Sequence, residues 1–261
     1  MNKLSLPGPL WFASDLHLGP QTPGTSRAFL DWLGMAAGEA AAVLLPGDIF
    51  DAWIGDDVAA APPPWLAEVL QGLQAAAQRV PVWLGRGNRD FLMGQALADR
   101  VGAGLLPDGA LLETDYGTVL LSHGDEYCTD DTAYQQFRAM VRDPQWQAQF
   151  LARPIPERIA LAAQARGESM AANQAKSAEI MDVNAAAVEQ ALRTSGVRLM
   201  IHGHTHRPGR NVLSVDGRRC ERWVLPDWDC DHGSPRGGWL VLDRDGPALY
   251  DLQAAEGQPL A

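Results

Sequence analysis

The chain predicts an α/β fold in which short apolar strands alternate with helices and deliver polar motifs at their carboxyl ends. Three observations predict it. Apolar runs of four or five residues recur at 10–13, 42–45, 80–84, 118–122 and 197–201, lengths that suit buried strands rather than helices. Helix-period segments separate the earlier runs, which is the spacing of strand–helix–strand units. Each run is followed by a motif of Asp, Asn or His, and open α/β sheets gather ligands outside the carboxyl ends of their strands.

In chain order, the run at 10–13 ends at Asp15, and 26–37 predicts a helix with Phe29, Leu30 and Leu33 on one face. The run at 42–45 ends at Asp48, completing one strand–helix–strand unit. A second helix, opened by prolines, is expected over 62–79, followed by a strand over 80–84 that leads to Asn88. The strand at 118–122 delivers His123. Residues 131–195 then change character, being alanine-rich, helical in pattern and interrupted by Pro144, Pro154 and Pro156. The strand at 197–201 delivers His202 to His206. The helical stretch therefore predicts an insertion between two motif-bearing strands, placed to form a lid over a core of 1–130 and 196–253. After Pro208 the pattern turns strand-rich as far as Leu252, with turns expected at Asp216-Gly217 and Asp245-Gly246. Residues 254–261 are expected to fray.

Composition narrows the function. A net charge of −11 over 261 residues argues against a general nucleic-acid binder. Cys128, Cys220 and Cys230 form no CxxC pair and are odd in number, which suits a reducing compartment, and each reads as a buried apolar residue. No apolar run approaches ~20 residues, so no bilayer span is expected. Residues 1–9 lack the apolar centre of a signal peptide, and the expectation is a cytoplasmic protein.

Five of the six histidines fall in Asp15-Leu16-His17, Ser122-His123-Gly124-Asp125 and His202-Gly203-His204-Thr205-His206. Gly47-Asp48 and Gly87-Asn88-Arg89-Asp90 lie between them. A lone histidine is usually packed or solvated, but five at strand ends among carboxylates and an amide predict a two-metal hydrolase centre. The ordered set resembles the calcineurin-like metallophosphoesterase superfamily, every block being present between residues 15 and 206. That resemblance implies an α/β/β/α sandwich with an inserted helical cap. It also implies that Asp15, His17 and His206 hold one divalent ion, that Asn88, His123 and His204 hold the other, and that Asp48 bridges them. Nitrogen and oxygen donors without cysteine suit Mn²⁺ better than a structural zinc site. Asp48, Asn88, Arg89, His123 and His204 are the expected catalytic set.

Arg89 stands where many members of the superfamily have histidine in Gly-Asn-His-Asp. Arginine cannot act as a general acid near neutral pH, but its planar fork suits phosphate oxygens. The expected leaving group is one that departs unassisted, such as a phosphate monoester, and this points to a pyrophosphate bond.

Longer blocks sharpen the resemblance: residues 14–18, 47–57, 87–92, 128–131, 134–138 and 180–184. Together they are similar to the UDP-2,3-diacylglucosamine diphosphatases of lipid A synthesis, with Trp53-Ile54-Gly55-Asp56-Asp57 and Cys128-Thr129-Asp130-Asp131 as the most specific. The resemblance implies substrate contacts from Asn88, Arg89, Asp131, Ser169, Asn173, Lys176 and His204. Residues 169, 173 and 176 share a helix face by spacing, which is also the spacing of a plain solvated stripe. At Asp131 a helix-capping role stands beside the substrate role. Between Arg138 and Arg166 five arginines face one aspartate and one glutamate, beside Trp146, Phe150 and Ile159. This segment reads either as a patch for an anionic inner membrane and acyl chains, or as an ordinary amphipathic helix pair. A phosphodiesterase or nucleotide-sugar pyrophosphatase with a water-soluble substrate, and a non-catalytic scaffold, remain the alternatives. His202 is undecided between substrate contact and strand-end support. His232 reads as incidental, and no site residue is expected beyond Pro208.

Overall fold

The computed structural model describes residues 3–174 and 182–253, the side chains of 169–174 excepted. The chain runs through β1 (Lys3–Ser5), β2 (Leu10–Phe12), α1 (Pro23–Glu39), β3 (Ala42–Leu45), a 3₁₀ turn at Asp56–Ala60, α2 (Pro64–Ala77) and β4 (Val82–Leu84). It continues with α3 (Gln95–Val101), β5 (Gly104–Leu105), β6 (Ala110–Thr114), β7 (Gly117–Leu121) and a second 3₁₀ turn at Asp125–Tyr127. Four helices follow: α4 (Thr132–Val141), α5 (Pro144–Leu151), α6 (Ile155–Gln174) and α7 (Ala185–Ser195). The last elements are β8 (Leu199–His202), β9 (Gly209–Val215), β10 (Arg218–Val224), β11 (Gly238–Asp243) and β12 (Gly246–Asp251).

The strands form two six-stranded sheets, in the orders β12-β11-β2-β3-β4-β5 and β1-β6-β7-β8-β10-β9. Strand side chains alternate faces, so each strand is divided between two cores. Leu10, Phe12 and Leu44 of the first sheet meet Leu112, Leu121 and Ile201 of the second between the sheets. Trp11, Val43, Leu45 and Leu84 point the other way, onto Phe29, Leu33, Leu70 and Leu97 of α1–α3. On the far side, Leu111, Leu120 and Met200 pack against Val188 and Leu192 of α7. The result is the expected α/β/β/α sandwich. Strands covered on both faces are continuously apolar, which is why their sequence runs show no polar alternation.

Several elements differ from expectation. β1, which pairs in parallel with β6, has no apolar signature of its own: its middle residue Leu4 is flanked by exposed Lys3 and Ser5. The α3–β5–β6 stretch was also not anticipated, because two of its three elements are only two and five residues long. Asp216-Gly217 forms the predicted two-residue turn, with positive φ at both positions. In the second hairpin Gly246 pairs with Asp243, so the loop residues are Arg244 and Asp245, one position earlier than expected. Cys128 and Cys220 are buried, but Cys230 is partly exposed. Within the expected insertion of 131–195, α7 belongs to the sandwich, because its apolar face packs on the second sheet. Among the described residues no helix is long and apolar enough to cross a membrane.

The arginines of the insertion have partners that sequence alone does not reveal. Arg138 pairs with Asp125, Arg142 with Asp108, Arg158 with Asp57 and Arg166 with Asp51, while Arg153, in the turn before α6, faces Glu157 of that helix. Four of the five charges therefore tie the inserted helices to the sandwich. Arg158 is buried at 2% exposure and also donates to Ile54 O at 2.6 Å. Arg158→Ala is expected to lower stability by about 1–3 kcal/mol, since a partly buried carbonyl loses its donor and Asp57 its partner. Chemical denaturation checks this, and an unchanged midpoint would show that the tie carries no stability.

Candidate metal centre

Strand direction gathers the site. β2, β3 and β4 are mutually parallel, as are β7 and β8, so their carboxyl ends deliver the motifs to one edge of each sheet. The loop after β2 carries Asp15 and His17, that after β3 Asp48, and that after β4 Asn88 and Arg89. His123 follows β7, and His204 and His206 follow β8. Asp15, His17 and His206 present ligand atoms that all lie within 4.8 Å of one another, and so do Asp15, Asp48 and His123. His206 Nε2 is 3.4 Å from Asp15 Oδ1 and 3.3 Å from His17 Nε2. Asn88 Oδ1 is 3.1 Å from His123 Nε2 and 2.8 Å from His204 Nδ1. Asp48 lies between the two groups, with one oxygen 3.6 Å from His123 Nε2 and the other 3.9 Å from His17 Nδ1.

The backbone is bent at these residues. Among the described residues, six non-glycine positions have φ between 48° and 65°, and five of them are Asp15, His17, Asp48, His204 and His206. The left-handed region costs an L-residue ~1–2 kcal/mol, and such strain collects where side-chain placement matters more than local stability. Two glycines permit the close packing. A Cβ at Gly87 would overlap the Asp48 carboxylate, and one at Gly203 would overlap Asp15 Oδ2 and Ser14 Oγ.

The electrostatics fit a cation. Burial drives His17 down to about 4 and His204 to about 3, so both imidazoles are neutral donors at physiological pH. Burial also opposes charge on His123, but Asp48, Asp15, Asp125 and Asp90 outweigh it and raise that group. His206 is raised as well: its bond to Asp15 and the charges of Asp15 and Asp227 overcome its burial. Burial pushes Asp48 up, whereas at Asp15 the bond to His206 and the surrounding imidazoles overcome burial and hold the carboxyl low. Four imidazoles, two buried carboxylates and an amide oxygen converging without cysteine are a donor set for hard or borderline divalent ions.

Supporting groups fix the donors. Asp90 accepts backbone N–H bonds from Gly87 (2.7 Å), Ile49 (2.7 Å) and Asp48 (3.2 Å), locking two motif loops together. Asp125 accepts from Tyr134 Oη at 2.5 Å and from Arg138 Nε at 2.8 Å, and the Tyr134 ring stacks on His204 with centroids 6.0 Å apart. Asp227, from the region in which no site residue was expected, stands 3.6 Å from His206 Nδ1. Its sequence neighbourhood gave no signal because the contact is made by a single carboxylate in the loop after β10.

The centre opens into a cavity of about 1000 Å³ roofed by α4–α6. Arg89 lines it, its backbone N–H bound to Asp48 Oδ1 at 2.8 Å, and so does Arg166. Phe91, Phe137, Met140, Trp146, Phe150 and Leu161 supply apolar wall. Asp131 also lines this space and caps α4 by accepting from Tyr134 N at 3.1 Å. Ser169 and Asn173 fall on the α6 backbone with side chains outside those described, and Lys176 lies outside the described residues. His202 is fully buried, bonded through Nδ1 to Gly203 O at 2.9 Å and facing Arg222; it does not line the cavity. His232 is exposed and bonded to Asp229.

The profile of the family described as calcineurin-like phosphoesterase matches residues 8–208, a span that contains every residue of the two clusters. The chain belongs to that family. A protein of Bordetella pertussis named UDP-2,3-diacylglucosamine hydrolase is 74% identical over 253 residues, spanning 97% of this chain and 98% of its own length. A protein of the same name from Chromobacterium violaceum is 46% identical over 236 residues, covering 90% of this chain and 95% of that one. Among solved structures, Yfce, a phosphoesterase from E. coli, shares the fold with a TM-score of 0.50 at 15% identity, over 97% of each chain. As a member of this family the chain is a metal-dependent hydrolase.

Proposed function

We propose that this chain hydrolyses the pyrophosphate bond of UDP-2,3-diacylglucosamine, releasing UMP and 2,3-diacylglucosamine 1-phosphate, as a step of lipid A synthesis. The observation that carries the proposal is one shared cavity: a floor of candidate metal ligands beside Arg89 and Arg166, beneath an apolar roof. Such a space suits a substrate with phosphates at one end and acyl chains at the other. The relatives that bear the hydrolase name, at 74% and 46% identity, support the same substrate.

In this reading Asp15, His17 and His206 hold one divalent ion, Asn88, His123 and His204 the second, and Asp48 both, with Mn²⁺ the fitting metal. When bound, the ions supply Lewis-acid activation of water and of the scissile phosphate at neutral pH. Asp48 and Asp15 neutralise them inside a buried pocket. Arg89 faces the phosphates with a planar donor fork and stabilises charge developing on their oxygens. The leaving phosphate needs no proton, which suits a site with arginine at that place. Within 131–195, α4–α6 act as the substrate cap, with Asp131, Ser169, Asn173 and Lys176 binding the head group.

The same cap meets the membrane. Phe137, Met140, Leu151, Ile159 and Leu161 are exposed apolar side chains on these three helices. Because the arginines of the segment are paired with carboxylates, apolar contact rather than basic charge makes the attachment. The protein works on the cytoplasmic face of the Gram-negative inner membrane.

The test is UMP release from the diacylated nucleotide sugar by metal-stripped protein, with and without added Mn²⁺, against the deacylated analogue. Mn²⁺-dependent release from the acylated substrate is expected. Equal turnover of the deacylated analogue would overturn the lipid assignment, and full activity of the stripped protein the metal assignment. Arg89→Ala is expected to lower kcat/KM by about 10²-fold, by loss of charge beside the phosphates. A kinetic comparison at saturating Mn²⁺ checks it.

A further inference from the structure

We infer that Asp227 is a positioning residue for the first metal site, that it acts on the ring of His206, and that Arg236 holds it there. The inference rests on the reading of Asp15, His17 and His206 as ligands. His206 turns Nε2 into the cluster, 3.4 Å from Asp15 Oδ1 and 3.3 Å from His17 Nε2, which leaves Nδ1 on the outer side. There Asp227 Oδ2 lies 3.6 Å away, a small ring rotation from hydrogen-bond distance. A histidine that ligates through one nitrogen is oriented, and made more basic, by a carboxylate on the other.

His206 needs such a partner. Its side chain is 41% exposed and its φ is 52°, so neither packing nor a relaxed backbone fixes the ring. Asp227, in contrast, is fixed twice over. Arg236 Nε donates to its Oδ2 at 2.9 Å, and the Arg236 backbone is paired with Asp229 by two N–H···O bonds of 2.9 Å. The neighbouring Trp228 donates its backbone N–H to Asp15 O at 3.0 Å and its indole N–H to Gly238 O at 2.9 Å. Its ring also packs edge-on against Trp32 and Phe29. The carboxylate that orients one ligand is thus built on the segment that holds the backbone of another, Asp15. This gives residues 226–236 a part in the centre although they carry no ligand.

The experiment is a calorimetric titration of metal-stripped protein with Mn²⁺, with thermal melting of the stripped proteins alongside. Wild type is expected to take up two ions. Asp227→Ala is expected to weaken one binding step by about 10–100-fold and leave the other unchanged. Arg236→Met, which keeps the carboxylate but frees it, is expected to weaken the same step less, and Asp227→Glu to recover part of the loss. A role in folding alone would lower the melting temperature and affect both steps. Two ions bound by wild type with both steps unchanged in Asp227→Ala, or weakened equally, would overturn the inference while leaving the metal reading intact. A wild-type chain that takes up no Mn²⁺ would overturn the metal reading and this inference together.

Discussion

Asp48→Asn is expected to lower turnover by about 10³-fold or more while leaving the fold in place. The amide keeps the size of the carboxylate, tolerates the left-handed backbone at φ 52°, and still accepts the Arg89 backbone N–H. It removes a charge that stands between the two donor groups, within 3.6 Å of His123 and 3.9 Å of His17. Two cations held close together without that charge repel each other in a buried, weakly screened site. Stability should move in the opposite direction. Burial pushes the Asp48 carboxyl above its ordinary 3.8, so in the metal-free protein its stabilising contribution is full below that pH and is lost as pH rises through the folded value. Asp90, raised to about 6 by burial and by Asp48, follows the same sign between 3.8 and about 6. Metal-stripped Asp48→Asn should therefore melt at or above wild type at neutral pH. Its kinetics and melting curve, measured on one preparation, separate lost chemistry from lost fold, and near-wild-type turnover would sink the bridging role.

Gly203→Ala, which adds one methyl group, is expected to lose both metal affinity and stability. The new Cβ would overlap Asp15 Oδ2 and Ser14 Oγ. That carboxylate cannot swing away cheaply, because it is fully buried and bonded to Ser14 Oγ at 2.5 Å and to the His204 backbone N–H at 3.0 Å. Nor can the glycine retreat, since its own N–H donates to His123 O at 2.8 Å. Overpacking of a rigid site costs about 1–3 kcal/mol, and here the displaced group is a proposed ligand. Activity should fall by about 10²-fold or more, with metal content reduced in proportion. Metal analysis of the purified variant beside wild type checks it; a fully loaded, active Gly203→Ala protein would show that the motif's glycine is a turn residue only.

Much of this centre was legible in the chain because its chemistry is written in short blocks. Asp15-Leu16-His17 and His202-Gly203-His204-Thr205-His206 each combine a strand end, a tight turn and donor side chains within a few residues. Parallel strands then bring such blocks together without further instruction. The strands at 10–13, 42–45 and 80–84 were readable for the same reason, being apolar runs bounded by turns. Four of the five arginines between 138 and 166 were readable as residues but not as interactions, because their partners Asp51, Asp57, Asp108 and Asp125 lie outside the segment. An apparent basic patch became a set of struts.

Donor identity, motif order and the alternation that builds two sheets were determined by the amino-acid sequence itself, since each depends on neighbours a few positions away. Contacts between distant segments were decided only by the tertiary structure: β1 against β6, Asp231 on the first turn of α1, Asp227 beside His206 and α7 on the outer face of the sandwich. A carboxylate 21 residues from an imidazole, or 207 from a helix end, leaves no periodicity to read. Its role exists only once the packed sheets have fixed where both ends lie.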